Sequence, residues 1–131
     1  MKFRAMLQVT LLAALILMCV QACSGNGTSS TASSTSRSDF TAETRLEVDE
    51  LEIKPEMNSN ILKIREMNLD AGQLVFLLST PDGHVQWEET FTAPATYQHT
   101  FDLDMTPGTW KLEIKLDNAT GNYDIQWKAS N

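Results

Sequence analysis

The sequence predicts an all-β fold: a single antiparallel two-sheet β-sandwich of about seven to eight strands. Two observations lead to this prediction. From Phe40 onward, apolar and polar residues alternate in short segments that are separated by turn residues. Outside the segment "NILKIREMNL", the same region contains no amphipathic run of helical period and useful length. Jelly-roll and immunoglobulin-like connections both fit this pattern, so the order of the strands stays open.

The C-terminal third shows the clearest alternation. The segment "TWKLEIKLD" is preceded by Pro107-Gly108, and it separates apolar from charged residues at every second position. The turn residues "NATGN" follow, and "YDIQW" then alternates again. We therefore predict an antiparallel hairpin with Asn118 in its turn, whose inward side chains are Trp110, Leu112, Ile114, Leu116, Tyr123, Ile125 and Trp127.

The segments upstream are also predicted as strands, with two irregular stretches. "QLVFLLSTPDGHVQWEE" indicates two strands joined around Pro81-Asp82-Gly83, and "YQHTFDLDM" indicates one more. In "RLEVDELEIKP" the alternation of apolar and polar residues is broken between Val48 and Leu51. A bulge or tight bend near Asp49-Glu50 would restore the alternation. The segment "NILKIREMNL" fits a strand or a helix.

The pattern of the N-terminal residues predicts a targeting signal. Lys2 and Arg4 precede an uncharged, mostly apolar run from Ala5 to Val20, which is shorter than a membrane-spanning helix requires. The run ends in "VQAC", with a small residue directly before Cys23, and this resembles the lipobox of bacterial lipoproteins. The resemblance implies that Cys23 is alkylated with a diacylglycerol group, becomes the first residue after cleavage, and gains a further acyl chain such as palmitate.

A rival interpretation keeps the signal peptide but has an ordinary signal peptidase cut after "VQA". That cut would release a free protein with one unpaired thiol in an oxidising compartment, whereas lipidation uses the thiol. Several acyl chains on one cysteine would make membrane attachment nearly permanent. Cys19 is disfavoured as the anchor, because Met18 is bulky for the position before a cleaved cysteine.

These features divide the chain into a signal peptide at 1–22, a lipidated cysteine with a flexible linker at 23–38, and the β-sandwich at 39–131. The linker "SGNGTSSTASSTSRS" contains no hydrophobe larger than alanine. Ser24 is not the Asp that, by the same resemblance, retains lipoproteins in the inner membrane. The predicted location is therefore the cell envelope: the outer membrane where the organism has one, and otherwise the outside of the cell membrane.

The charge balance excludes one class of partner. The net charge is −7, and residues 39–131 hold seven basic residues against all 17 acidic ones. Nucleic acids require clustered Lys and Arg, and anionic lipid headgroups also attract basic segments. We therefore expect no nucleic-acid partner and membrane contact only through the lipid. An envelope protein or a glycan stays open as a partner.

The sequence predicts no metal site and no cofactor. His84 and His99 are the only histidines, and Cys23 is the only cysteine that remains after the predicted cleavage, so a zinc site of the usual composition lacks ligands. No Asp-rich loop has the spacing of a calcium motif. Calcium ligands could still come from Asp102 and Asp104 on one strand face, or from residues near turns, namely Asp82, Asp117 and Asp124.

The sequence also predicts no enzyme. Glu88 and Glu89 are adjacent, but neighbours on a strand point to opposite faces and would not converge on one substrate. The three tryptophans, Trp87, Trp110 and Trp127, either fill the core or stack on sugar rings, and their alternation with charged residues favours the core.

The C-terminal segments "GTWKLEI" and "GNYDI" loosely resemble the corresponding strands of exported β-sandwich modules of the pre-peptidase C-terminal and Golgi-dynamics kinds. This resemblance covers about 20 residues, and we transfer no function from it. Two functional hypotheses follow from the sequence: a membrane-anchored, non-catalytic binding or structural accessory module, or a carbohydrate-binding module that calcium could assist.

Overall fold

A computed structural model describes residues 30–131, which form five β-strands and no helix. The all-β class is therefore confirmed. The strands are β1 (Thr31–Ile53), β2 (Ser59–Ser79), β3 (Val85–Thr92), β4 (Ala95–Asp102) and β5 (Gly108–Ser130). The assignment gives fewer strands than the predicted seven to eight, because β1, β2 and β5 each continue through an interruption in the pairing register, which in β5 is the predicted turn "NATGN". Within this range, no helix is long and apolar enough to cross a bilayer.

The five strands form one antiparallel sheet. The central strand β5 pairs with β1 on one side and with β2 on the other. The far side of β2 is shared by two short strands, since its residues 61–69 pair with β4 and its residues 73–79 pair with β3. The strand pair predicted around Pro81-Asp82-Gly83 is thereby confirmed as β2 and β3.

The register of the three long strands is interrupted at one common level. The breaks lie between Phe40 and Arg45 in β1 and between Leu69 and Gln73 in β2, and both face residues 117–121 of β5. Asn118 has a φ of 43°, in the left-handed region that asparagine tolerates better than most residues. The predicted C-terminal hairpin is wrong: "NATGN" bends one continuous strand, whose two halves pair with β1 and β2 and not with each other.

Strand β1 turns back on itself at this level. Ser34 Oγ donates a hydrogen bond to Asp49 Oδ1 at 2.5 Å, although a straight strand would separate these residues by about 50 Å. The flexible linker predicted at 23–38 is wrong for residues 31–38, because each of them pairs with β5. The bulge predicted near Asp49-Glu50 is also wrong, since the register runs unbroken from Arg45 to Ile53.

One apolar core joins both halves of the long strands. The alternation predicted in β5 is confirmed, since its seven predicted inward residues, including Trp110 and Trp127, are at most 3% exposed. A single buried amide crosses this core: Asn60 Oδ1 accepts a hydrogen bond from Trp127 Nε1 at 2.9 Å, and Asn60 Nδ2 donates to the carbonyl oxygen of Asp104 at 3.1 Å. Asn60 therefore ties the loop after β4 to the C-terminal end of the central strand β5.

Candidate functional site

The inward-facing positions of the two sheet edges differ in chemistry. In the other long strands these positions carry apolar residues with the exception of Asn60, whereas along most of β1 they carry hydroxyl and charged groups. The first half of β1 contributes Ser34, Ser36 and Ser38, and the second half contributes Glu43, Arg45, Glu47 and Asp49. Because β1 turns back on itself, the two polar rows face each other, and we call the space between them the β1 cleft.

Arg45 organises the charges of the β1 cleft. Its guanidinium contacts Glu43 Oε2 at 2.5 Å and Glu47 Oε1 at 3.0 Å, both within the second half of β1. It also donates a hydrogen bond from Nη2 to Ser38 Oγ at 2.7 Å, which joins the two halves of the strand. Two carboxylates therefore share the Arg45 guanidinium, and together with Asp49 they give the inward-facing row of the second half of β1 a net negative charge.

The β1 cleft contains a cavity of about 330 Å³. Its floor is the core surface formed by Ile114 and Tyr123, and its walls are Ser36, Arg37, Glu47, Val48 and Asp49. Within the described residues, Asp49 Oδ2 and Arg45 Nε are shielded from solvent but have no hydrogen-bond partner. Buried polar atoms are ordinarily paired, so Asp49, which lines the cavity, keeps an unused hydrogen-bond acceptor. The arrangement suits a small ligand with hydroxyl or amino groups.

A second polar cavity, of about 360 Å³, lies where β2 meets β4. Two of its polar side chains bond to each other, since Asn68 Nδ2 donates to Glu66 Oε1 at 2.7 Å, and Asn68 Nδ2 also donates to Asn122 Oδ1 at 3.0 Å. Among the residues of this cavity, no side-chain polar atom is both shielded from solvent and without a partner, whereas the β1 cleft has Asp49 Oδ2.

The opposite edge, formed by β3 and β4, is aromatic. Trp87 lies at the centre of a cluster of rings. Its ring centroid is 5.4 Å from that of the fully buried Phe76, and it is 6.0 and 4.5 Å from those of the partly buried Tyr97 and Phe101. Phe76 and Tyr97 are both nearly parallel to Trp87, so neighbouring rings occupy the surfaces on which a sugar would stack. The core placement predicted for Trp110 and Trp127 is confirmed, and Trp87 packs against that core.

Tyr97 and Glu89 lie together at this aromatic edge. Burial raises the pKa of the Tyr97 hydroxyl, and the nearby Glu89 carboxylate raises it further. Glu88 is exposed on the other face of β3, whereas Glu89 is partly buried. The expectation that these two adjacent carboxylates do not converge is therefore confirmed.

The two histidines occupy different settings. His99 is an exposed residue of β4 whose ring packs on Phe101, with centroids 4.5 Å apart. His84 lies in the turn between β2 and β3 and not in a strand, and its Nε2 is 3.5 Å from Asp82 Oδ2. The hydrogen bond from Thr80 Oγ1 is the main cause that lowers the pKa of Asp82.

The candidate calcium ligands are dispersed. Asp102 ends β4, whereas Asp104 lies beyond it in the loop, where its Oδ1 accepts hydrogen bonds from the backbone N–H and the hydroxyl of Thr106 at 3.1 and 2.7 Å. Asp117 and Asp124 lie on opposite sides of the bend in β5. Across residues 30–131, no three His, Cys, Asp or Glu side chains are grouped so that they could hold a metal ion.

The predicted lipidation site and the residues of the β1 cleft differ in how the sequence signals them. Cys23 lies outside the described residues. The cleft residues were not predicted, although the sequence carries a signal for them: Arg45, Glu47 and Asp49 share the period-two phase of the buried Leu51 and Ile53. Polar residues that occupy the same alternate positions as core residues indicate an edge of the sheet whose inward face is open to solvent.

Comparisons with known proteins give only distant similarities. No family model matches the chain, and no curated protein matches it. A solved structure from the disulfide-linked pili of Bacillus endospore appendages has a TM-score of 0.46 at 11% identity, covering 82% of this chain and 93% of that one. The coat protein of Tobacco streak virus has a TM-score of 0.39 at 13% identity, covering 80% and 88%. The CBM36-1 domain of a multidomain xylanase from the hindgut metagenome of Trinervitermes trinervoides has a TM-score of 0.40 at 6% identity, covering 79% and 96%. We transfer no function from these proteins.

Proposed function

We propose that this chain is a lipoprotein of the bacterial cell envelope whose β-domain is a non-catalytic binding module. The anchor is Cys23, on the strength of the apolar run and the "VQAC" that resembles a lipobox. Strand β1 begins at Thr31, eight residues after Cys23, so the first strand lies within about 28 Å of the lipidated residue. The domain would therefore stay close to the membrane surface.

The finer fold is part of this proposal: the sheet folds over into two layers of four strand segments each. Residues 31–40, 121–130, 59–69 and 95–102 would form one layer, and residues 43–53, 108–117, 73–79 and 85–92 the other. Both orders follow the observed pairings and match a jelly roll. Contacts at both edges support this, since Ser34 meets Asp49 at one and Trp87 meets Phe101 at the other.

The proposed binding surface is the β1 cleft. One observation carries this: a cavity of about 330 Å³ combines a core floor with carboxylate, hydroxyl and guanidinium walls, and Asp49 Oδ2 beside it has no partner in the described part of the chain. A polar group shielded from water is stabilised when a ligand supplies a hydrogen bond. The ligand class is a small molecule or glycan end group that donates hydroxyl or amino protons.

A glycan ligand is the second functional candidate from the sequence, and the cleft favours it over stacking on tryptophan. Sugar hydroxyls can donate to Glu47 and Asp49 and accept from Ser36 and Arg37. A glycan array run with and without a chelator tests this directly, with the full chain as the probe. We expect binding that persists in chelator and falls at least about tenfold in Asp49→Asn, since the amide offers its hydrogens where the ligand's protons would go.

The matched control is Glu88→Gln, which removes the same charge from the exposed face of β3. Its binding should equal that of the unaltered chain. Equal binding by Asp49→Asn and Glu88→Gln would reject the β1 cleft as the site, and loss of binding on chelation would favour a calcium-assisted module instead.

The anchor is tested by partition between detergent and aqueous phases after expression in bacteria. The unaltered chain and the Cys19→Ser variant should enter the detergent phase, whereas Cys23→Ser should lose lipid-dependent partition. Aqueous partition of the unaltered chain would support the rival interpretation, in which the protein is released.

A further inference from the structure

Strand β5 presents a row of charges of alternating sign on its outer face. Four outward side chains follow one another along the strand between the buried residues of the core, namely Lys111, Glu113, Lys115 and Asp117. Lys111 lies 4.0 Å from Glu50 of β1, whereas Glu113 and Lys115 take part in none of the ion pairs of residues 30–131. The two central charges of this row are therefore available to a partner.

Apolar side chains flank these two central charges on both sides. Lys115 pairs with Leu46 of β1 and with Val75 of β2, and Glu113 pairs with Val48 and Leu77 in the same way. Leu46 and Val48 are 54% and 48% exposed, and Val85 at the end of the same surface is 56% exposed. Three of the four exposed large hydrophobic residues in the described range therefore lie on this side of the sheet, which we call the outer face.

The outer face is complementary to itself under one particular symmetry. Consider two copies stacked face to face about a two-fold axis that runs across the strands, midway between residues 113 and 115. Lys115 of one copy then lies over Glu113 of the second, and Lys111 lies over Asp117. Leu46 lies over Val48 of the second copy, and Val75 over Leu77. Of the flanking acidic residues, Glu88 lies over Thr90. Glu50, which pairs with Lys111, lies over the uncharged Thr44 at the register break of β1, so no two like charges directly oppose each other.

We propose that this chain forms a two-fold symmetric homodimer through the outer face of β1, β5, β2 and β3. The partner on this face is a second copy, because the two-fold axis places each basic residue of β5 over an acidic residue of the other copy. The same axis places apolar residues over apolar residues. Aligned face-to-face packing of two sheets is the usual way in which such surfaces meet.

The area of the outer face indicates how tightly two copies can bind. Four strands about 4.8 Å apart and eight residues of about 3.3 Å each give roughly 500 Å² per copy. This is smaller than the roughly 800 Å² per partner of a standard stable interface. The expected dissociation constant is therefore on the order of 10 to 100 μM in solution, and attachment of both copies to one membrane would raise the dimer fraction.

The test is a charge swap on the full chain, purified in detergent and studied by sedimentation velocity over a range of concentrations. Lys115→Glu places two carboxylates opposite each other, and Glu113→Lys places two ammonium groups opposite each other, so each variant should weaken the dimer at least about tenfold. The double variant restores opposite charges and should return to within about threefold of the unaltered chain. Lys63→Glu makes the same charge change in the other half of β2, which pairs with β4 and lies beyond the register breaks, and it is the matched control.

A charge-neutral variant supplies a second line of test. Leu46→Ser removes an apolar contact from each half of the interface, and it should weaken the dimer about tenfold while leaving the thermal unfolding midpoint within a few degrees, since Leu46 is exposed. A chain that stays monomeric at all concentrations would overturn the proposal. So would a double charge variant that dimerises no better than the single ones, or equal weakening by Lys63→Glu.

Discussion

The buried amide of Asn60 gives the most exact test of how the core is held together. Asn60 is fully buried, and its side chain connects Trp127 in β5 with the carbonyl of Asp104 in the loop after β4. Asn60→Ala removes both hydrogen bonds and leaves two partners behind. Asp104 is exposed and can turn to water, whereas the indole N–H of Trp127, at 0% exposure, cannot.

The magnitude follows from this difference. A buried donor left without an acceptor costs about 1 to 3 kcal/mol, and the hydrogen bond lost to the loop adds about 1 kcal/mol. We therefore expect Asn60→Ala to lower the free energy of unfolding by about 2 to 4 kcal/mol. For a domain of this size, that change corresponds to a fall in Tm of roughly 10 to 25 °C.

The assay is a double-mutant cycle measured by urea denaturation. Its members are the unaltered chain, Asn60→Ala, Trp127→Phe and the double variant, with Trp87 and Trp110 as fluorescence reporters. The indole donor is absent from the double variant, so the two effects should not add, and a coupling of about 1 to 2 kcal/mol is expected. Additivity within about 0.5 kcal/mol would refute the claim that the Asn60–Trp127 hydrogen bond stabilises the core.

Three further predictions follow from the fold. Trp110→Ala should lower the free energy of unfolding by about 3 to 5 kcal/mol, because Trp110 is fully buried and donates a hydrogen bond to the carbonyl of Thr106 at 2.9 Å; an unchanged melting temperature would contradict its core position. Gly72→Ala should destabilise by more than about 2 kcal/mol in a thermal melt, since Gly72 has a φ of 78° and an added Cβ would overlap the backbone carbonyl of Asn118. Gly83→Ala is the control for Gly72→Ala, because Gly83 has a similar φ of 87° and open space around an added Cβ. An equal loss of stability in both variants would show that contact with the Asn118 backbone is not the cause. The pKa of Tyr97 is raised in the folded state, so the contribution of the protonated Tyr97 hydroxyl to the free energy of unfolding is complete below about pH 10 and is lost as the pH rises through the folded-state pKa. In urea titrations at alkaline pH, the free energy of unfolding of the unaltered chain should therefore fall relative to that of Tyr97→Phe. A difference between the two chains that stays constant with pH would contradict the raised pKa.

The sequence predicts the core better than it predicts the connections. The period-two pattern in β5 identifies which side of the strand is buried, because that depends only on the alternation of side chains along a strand. It cannot tell a hairpin from a bend. Asn118 and Gly121 supply the same backbone freedom to both, and the choice depends on β1 and β2, which continue along both halves of β5.

The β1 cleft illustrates a second limit. Ser34 and Ser36 belong to a segment whose composition is typical of a linker, and pairing with β5 places it in the sheet. Charged side chains ordinarily point to solvent, but three of them face inward here, namely Arg45, Glu47 and Asp49. They do so because they lie at every second position from the buried Leu51 and Ile53, and such positions share one face of a strand. The two rows come together only when β1 turns back, and that contact depends on residues far apart in the sequence.

The measurement that tests the central claim most directly is intact mass spectrometry of the mature N-terminus after expression in bacteria. The account predicts a chain that begins at Cys23 and carries a diacylglyceryl group with a further acyl chain, and a Cys23→Ser variant without either. A mature chain that begins at any other residue, or one that begins at Cys23 with an unmodified thiol, would contradict the proposal that this β-domain is held at a membrane by lipid.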